Sequence, residues 1–301
     1  MAKKKKNEEQ LPEGMSRRQA KLAARAAERA ALERDPRPYA GLTMEADLVA
    51  LQEFVPAAFA KLPVKDCERD IYVATVLPGA AGAIVQEDGT AYVALQTQSH
   101  THNPGRDLAY AIAWAKDAQP GDTLQSTAND GSQPELTSLL DAAGELDVTA
   151  REDFNWWLPE GTQLDPGTAQ SLQAANDTIM PSYQVEGDFA GVAWWIDPGE
   201  KAHIRWVRPD EEEKLLRALA RISAAGALNL GEDTKFAGVF RTHGVAVPVW
   251  DLPVGVSHET YGPILEKLDK KIAASMDSDE ELSADARRAL ENIKSRQVTI
   301  R

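Results

Sequence analysis

The chain has 301 residues, with 33 Lys and Arg against 47 Asp and Glu, giving a formal net charge of −14. That balance argues against a uniformly basic nucleic-acid binder, and 43% hydrophobic with 27% charged residues is a globular rather than a disordered composition. A lone cysteine, Cys67, excludes an intramolecular disulfide, and the longest apolar runs, such as 79–85, fall short of the ~18 residues a membrane helix needs, so a cytoplasmic location off the membrane is expected.

The charge is unevenly placed. Residues 1–40 hold eleven Lys and Arg against six acids, a net of +5, which leaves −19 on residues 41–301; between positions 71 and 200 the only basic residues are Arg106, Lys116 and Arg151. All Trp and all Phe lie beyond residue 40, so only the body has material for a core. The arm opens with Lys3, Lys4, Lys5 and Lys6 and has no apolar stretch behind them, unlike a secretory signal. Ser16-Arg17-Arg18-Gln19 has capping-box spacing ahead of an alanine-rich run, predicting a helix that Pro36 and Pro38 end. On it Arg17, Lys21, Arg25 and Arg29 fall on one face, next to Arg18. Such a stripe suits the phosphates of RNA, the ribosome or DNA; it equally suits a solvated tail, or docking on the acidic body.

Within the body, 44–54 has helical spacing and 71–77 reads as a strand stopped by Pro78-Gly79. A hairpin over 83–96 turns at Asp88-Gly89, and a helix follows over 106–117. The stretch 118–184 is rich in Gly, Pro, Asp, Ser and Thr, with one apolar helix at 135–143, and reads as a connection. A second hairpin over 191–207 precedes a helix capped by Asp210 and stopped by Gly226. Aligning Gly82 with Gly191 superposes the two hairpin-helix units at an offset of 109 residues, the pattern an internal duplication would leave. A third hairpin over 235–252 turns at His243-Gly244, with Pro248 marking an edge or a bulge, and amphipathic helices over 263–274 and 284–296 end the chain. The expected fold is therefore α+β: a basic mobile helix (1–40), a first lobe with its acidic connection (41–178), a second lobe (179–256), each of antiparallel sheet with packed helices, and C-terminal helices (257–301) that could form a homodimer seam.

Adjacent tryptophans constrain this picture. Successive strand residues face opposite ways, so Trp194 and Trp195 require either a sheet buried on both faces or one indole on a binding surface. Alternation at the third hairpin tip predicts Arg241 and His243 on one face, either an anion site or a turn paired with nearby acids; with Trp194 and Trp195 they form the candidate cleft wall. His100-x-His102, with Asp107 in range, has too few ligands for a strong metal motif and reads as a polar surface loop. Cys67 lies between carboxylates that disfavour its thiolate, and the adjacent Ser257-His258-Glu259 lacks the convergence of a triad. No phosphate loop, dinucleotide fingerprint, zincin or nucleophile-elbow motif occurs, so no catalytic residue and no cofactor is assigned.

The run Val73-Ala-Thr-Val-Leu-Pro-Gly-Ala-Ala81, the segment Arg106-Asp-Leu-Ala, and above all Phe236-Ala-Gly-Val-Phe-Arg-Thr-His-Gly with Pro248-Val-Trp-Asp-Leu resemble an actinobacterial domain family of unknown function. The resemblance covers nearly all of the chain past the arm and implies a cytosolic protein. Members sometimes carry names such as topoisomerase II or preprotein translocase subunit, for which this sequence shows neither an ATPase module nor a phosphate loop. The combined reading is a non-enzymatic adaptor whose arm engages RNA, ribosome or DNA and whose body binds a protein partner; the alternative is a small-ligand binder or enzyme that uses the cleft between lobes.

Overall fold

A computed structural model describes residues 35–127, 133–158 and 161–299. The first sheet takes β1 (Ala58–Lys61), β2 (Ile71–Ala74), β3 (Ala83–Val85), β4 (Ala91–Ala94), β5 (Thr123–Leu124) and β6 (Thr149–Ala150) in the order β5-β3-β4-β2-β1-β6. The second takes β7 (Ser182–Gln184), β8 (Val192–Ile196), β9 (His203–Val207), β10 (Lys235–Thr242), β11 (Val245–Asp251) and β12 (Val298–Thr299) in the order β12-β10-β11-β9-β8-β7. Helices α1 (Glu45–Glu53), α2 (Pro104–Asp117), α3 (Leu136–Leu139), α4 (Pro166–Asn176), α5 (Glu212–Ala224), α6 (Gly262–Met276) and α7 (Ala284–Ser295) complete an α+β fold.

Each sheet sets two hairpins side by side and adds one short strand at either edge. The seams differ: β2 and β4 run parallel, whereas β9 and β11 run antiparallel, and β12 joins β10 in parallel. Both sheets are thus mixed or interrupted rather than two copies of one antiparallel sheet, and the shared strand order comes without shared strand sense.

Period-two burial drives the layering. Ile71, Val73, Ala91 and Val93 point from the first sheet into a core with Leu48 and Leu51 of α1 and Leu108 and Ile112 of α2. Trp194, Ile196, Val207, Val245 and Val247 enter that same core from the second sheet, so α1 is sandwiched between the sheets. The intervening residues, Ala193, Ile204, Trp206 and Trp250, face the opposite way into a second core with Leu215 and Leu219 of α5, Leu265 of α6 and Leu290 of α7. The second sheet is therefore a middle layer, and the tryptophan pair divides between its faces: Trp194 into the first core, Trp195 against the second. Trp156 and Trp157 cover the outer face of the first sheet, Trp156 on Phe59 at 4.9 Å and Trp157 on Phe154 at 4.3 Å.

Two local expectations are corrected. Asp210 does not cap α5; Glu211 does, accepting the amides of Glu213 and Lys214, while Asp210 accepts from Arg208 Nε at 2.6 Å. Pro248 lies on neither an edge strand nor a bulge. It sits in interior strand β11, where the β9–β11 ladder is interrupted between the Arg208–Ala246 bridge and the Arg205–Val249 pair, so its missing N–H breaks no bond. The bulge is on β10, between Phe236 and Gly238.

Residues 36–39 stitch the layers together. Arg37 donates to both Glu45 oxygens, at 2.6 and 2.8 Å, and to the Pro209 carbonyl at 2.7 Å. The segment passes between two glycines that admit nothing larger: a Cβ on Gly105 would meet the Pro38 carbonyl at 2.5 Å, and one on Gly244 the Pro36 carbonyl at 2.5 Å, with φ +78° there besides. Tyr39, 1% exposed, donates its hydroxyl to Gln52 and lies 5.9 Å from the His243 ring; burial raises its pKa far above the tyrosine range.

Candidate functional site

Alternation along β9 sends His203 and Arg205 to the same face as Val207, and register puts Asp251 and Val249 of β11 beside them. Helix α1 covers only part of that face. It stops at Glu53, and Phe54, which follows it, packs edge-on against Phe240 at 6.3 Å. Beyond Phe54 no other described element covers the sheet, leaving a groove of about 380 Å³ floored by Val249, Gly238 and Phe240 and rimmed by Arg296 and by Val298, which is 61% exposed.

The charges in this groove are unevenly matched. Asp251 Oδ1 lies 3.1 Å from His203 Nδ1, and Glu53 Oε1 lies 2.5 Å from His243 Nε2. Arg205 instead lies over an aromatic face, its guanidinium carbon 5.5 Å from the Phe54 ring centre. Among the described residues no carboxylate pairs with it. Burial lowers its pKa from the usual arginine value, with no ion pair to counter the shift, yet a guanidinium stays charged in any protein setting. A part-buried, fixed cation of this kind can take a carboxylate or phosphate bidentately while the apolar floor receives the carbon next to it.

A family model described as a family of unknown function, DUF5926, matches residues 38–301. The chain belongs to DUF5926. No curated protein and no solved structure matches it. The match takes in both sheets, all of the groove and every segment on which the sequence resemblance rests, whereas residues 1–37 lie outside it.

The other residues singled out by sequence are placed differently within the DUF5926 body. Trp194 and Trp195 face opposite cores, so they share no wall. Arg241 lies 3.1 Å from Glu212 on the helical side of the sheet, whereas His243 sits in the turn at φ +46° and reaches Glu53 on the other side. Alternation fails at this tip because the chain leaves the extended conformation at His243. His100 is exposed, with Nδ1 3.4 Å from the Thr97 carbonyl, and His102 is exposed beside it. Asp107 uses both oxygens on Thr101 and Thr127, at 2.9 to 3.1 Å, and so holds that loop. Among the described residues no group of three His, Cys, Asp or Glu could hold a metal. The arm residues Lys3, Lys4, Lys5, Lys6, Arg17, Arg18, Lys21, Arg25 and Arg29 lie outside the described residues.

Arg205 had a sequence signal: His203-x-Arg205-x-Val207 interleaves with Ile204 and Trp206, so a charged residue occupies one face of a strand whose other face is wholly apolar. No helix among the described residues is long and apolar enough to cross a membrane.

Proposed function

We propose that this DUF5926 protein is a non-enzymatic, cytoplasmic binding protein whose body holds the anionic group of a ligand at Arg205. The observation that carries this reading is the Arg205 guanidinium itself: part-buried, stacked on Phe54 and without a carboxylate partner among the described residues. Burying an unpaired cation is costly, and a site that tolerates the cost is suited to a ligand that supplies the missing anion. Calorimetric titration of the full chain with octanoate tests it. Saturable binding that Arg205→Gln abolishes is the expected result; no heat of binding, or equal binding by the variant, would refute it.

A second element of the proposal is an adaptor role for residues 1–40, favoured by the contrast of +5 there with −19 on the rest of the chain. The basic stripe engages RNA, ribosome or DNA while the body stays free for its own ligand. Filter binding of mixed-sequence RNA by the full chain should weaken steeply between ~50 and ~200 mM salt, and replacing Arg17, Lys21, Arg25 and Arg29 by Gln should flatten that slope. Salt-insensitive retention, or an unchanged slope, would count against it.

A further inference from the structure

The groove has a second cation at its far end. Register across the sheet aligns Arg205 with Val249 of β11, and Val249 with Gly238 of β10. A Cβ placed on Gly238 would lie 3.8 Å from Arg296 Cβ and 3.7 Å from the Arg296 carbonyl. Arg205, Val249, Gly238 and Arg296 therefore form one row across the strands, and strands lie about 4.8 Å apart, so the row spans on the order of 14 Å. Because Gly238 has no side chain, nothing rises from the middle of the row above Val249.

Arg296 is exposed where Arg205 is part-buried, but it shares one property with it: among the described residues no carboxylate pairs with it. The two acids of the groove are each held by a histidine, Asp251 by His203 and Glu53 by His243. On a body of net charge −19, the trough is formally neutral, Arg205 and Arg296 offsetting Glu53 and Asp251, with a guanidinium at either end and an apolar floor between them. A volume of about 380 Å³ suits a small organic molecule rather than a protein surface.

We propose that the groove takes an elongated small organic dianion, with one carboxylate-type head on Arg205 and the other on Arg296, and an apolar chain lying over Val249 and Gly238. The proposal rests on the Arg205 reading above and adds to it the second head. Arg205 is the enclosed, bidentate anchor; Arg296, on the exposed rim, selects for a second charge at the right distance. A molecule with one head fills the same floor but leaves Arg296 hydrated.

The test compares straight-chain α,ω-dicarboxylates from adipate to dodecanedioate with the monocarboxylates of equal length, titrated into the full chain. Affinity for the diacids should peak at one chain length and there exceed the matching monoacid about tenfold, the size of one added charge-assisted contact. Arg296→Gln should bring the diacid down to the monoacid level and leave the monoacid unchanged. Arg205→Gln should weaken both, and Arg205→Lys, which keeps the charge and loses the fork, should weaken both to a lesser degree. Equal affinity for mono- and diacids, with both still sensitive to Arg205, would overturn the second head and leave the anchor standing. Insensitivity to Arg205, or no binding by either series, would overturn both.

Discussion

Arg205 and Arg208 stand three residues apart and meet opposite surroundings. Arg208, 1% exposed, donates to Asp210 at 2.6 Å and Asp269 at 2.5 Å and lies over the Trp206 ring at 4.6 Å. Replacing it by Met leaves two carboxylates facing an apolar side chain, and we expect a loss of about 3–5 kcal/mol in urea denaturation. Arg205→Met removes a part-buried cation with no carboxylate partner among the described residues, so the unligated protein should keep or gain stability, by up to ~1 kcal/mol, in the same measurement. Asp47 offers a third case. Burial, with a smaller push from Glu145, raises its pKa to about 7 from 3.8. Between those values the native state holds a proton that the unfolded chain has released, so this carboxyl makes stability fall as pH rises through that window. Asp47→Asn should remove that slope and be the more stable protein at pH 8, by on the order of 1 kcal/mol. Parallel pH profiles for the two proteins would contradict this.

At the scale of elements, periodicity predicted α1, α2, α5, α6, α7 and the three hairpins, because each has an apolar face of the right period and a stop signal such as Gly226. It missed β1 and β7, which are four and three residues long, and the two-residue strands β5, β6 and β12, short segments too brief to show a period and held by the hydrogen bonds of a neighbouring strand. It also missed α4, whose residues include no buried side chain; Asp165 and Pro166 start it, and no apolar stripe announces it. The same limits applied to the groove. The facing of His203 and Arg205 was readable from strand alternation, but the end of α1 at Phe54, which leaves that face uncovered, depends on tertiary packing. Alternation misplaced His243 for a related reason, since a tight turn departs from the strand period. The 36–39 segment tests how rigid such a packing constraint is. Gly244→Ala forces a methyl into the Pro36 carbonyl at a positive φ, and thermal denaturation should show a loss of 2 kcal/mol or more, about what backbone strain with displacement costs.

Over the whole molecule, one core is shared by both sheets, with α1 between them and Trp194 and Val247 reaching it from the second sheet. Two lobes joined in this way should unfold together. Tryptophan fluorescence, which sums the seven tryptophans of both lobes, and far-ultraviolet dichroism should give coincident single-step denaturation curves, and separate midpoints would show the lobes to be independent. The stitch at residues 36–39 also fixes an order of events during synthesis. Arg37 reaches Pro209 across 172 positions and Glu53 reaches His243 across 190. A ribosome adding ~5–20 residues per second needs roughly 10–40 s to go from the first of these residues to the last. For that interval the earliest part of the body lacks the second-sheet half of its core, so a transcript that stops short of β11 should yield a chain for the protease rather than a smaller working protein.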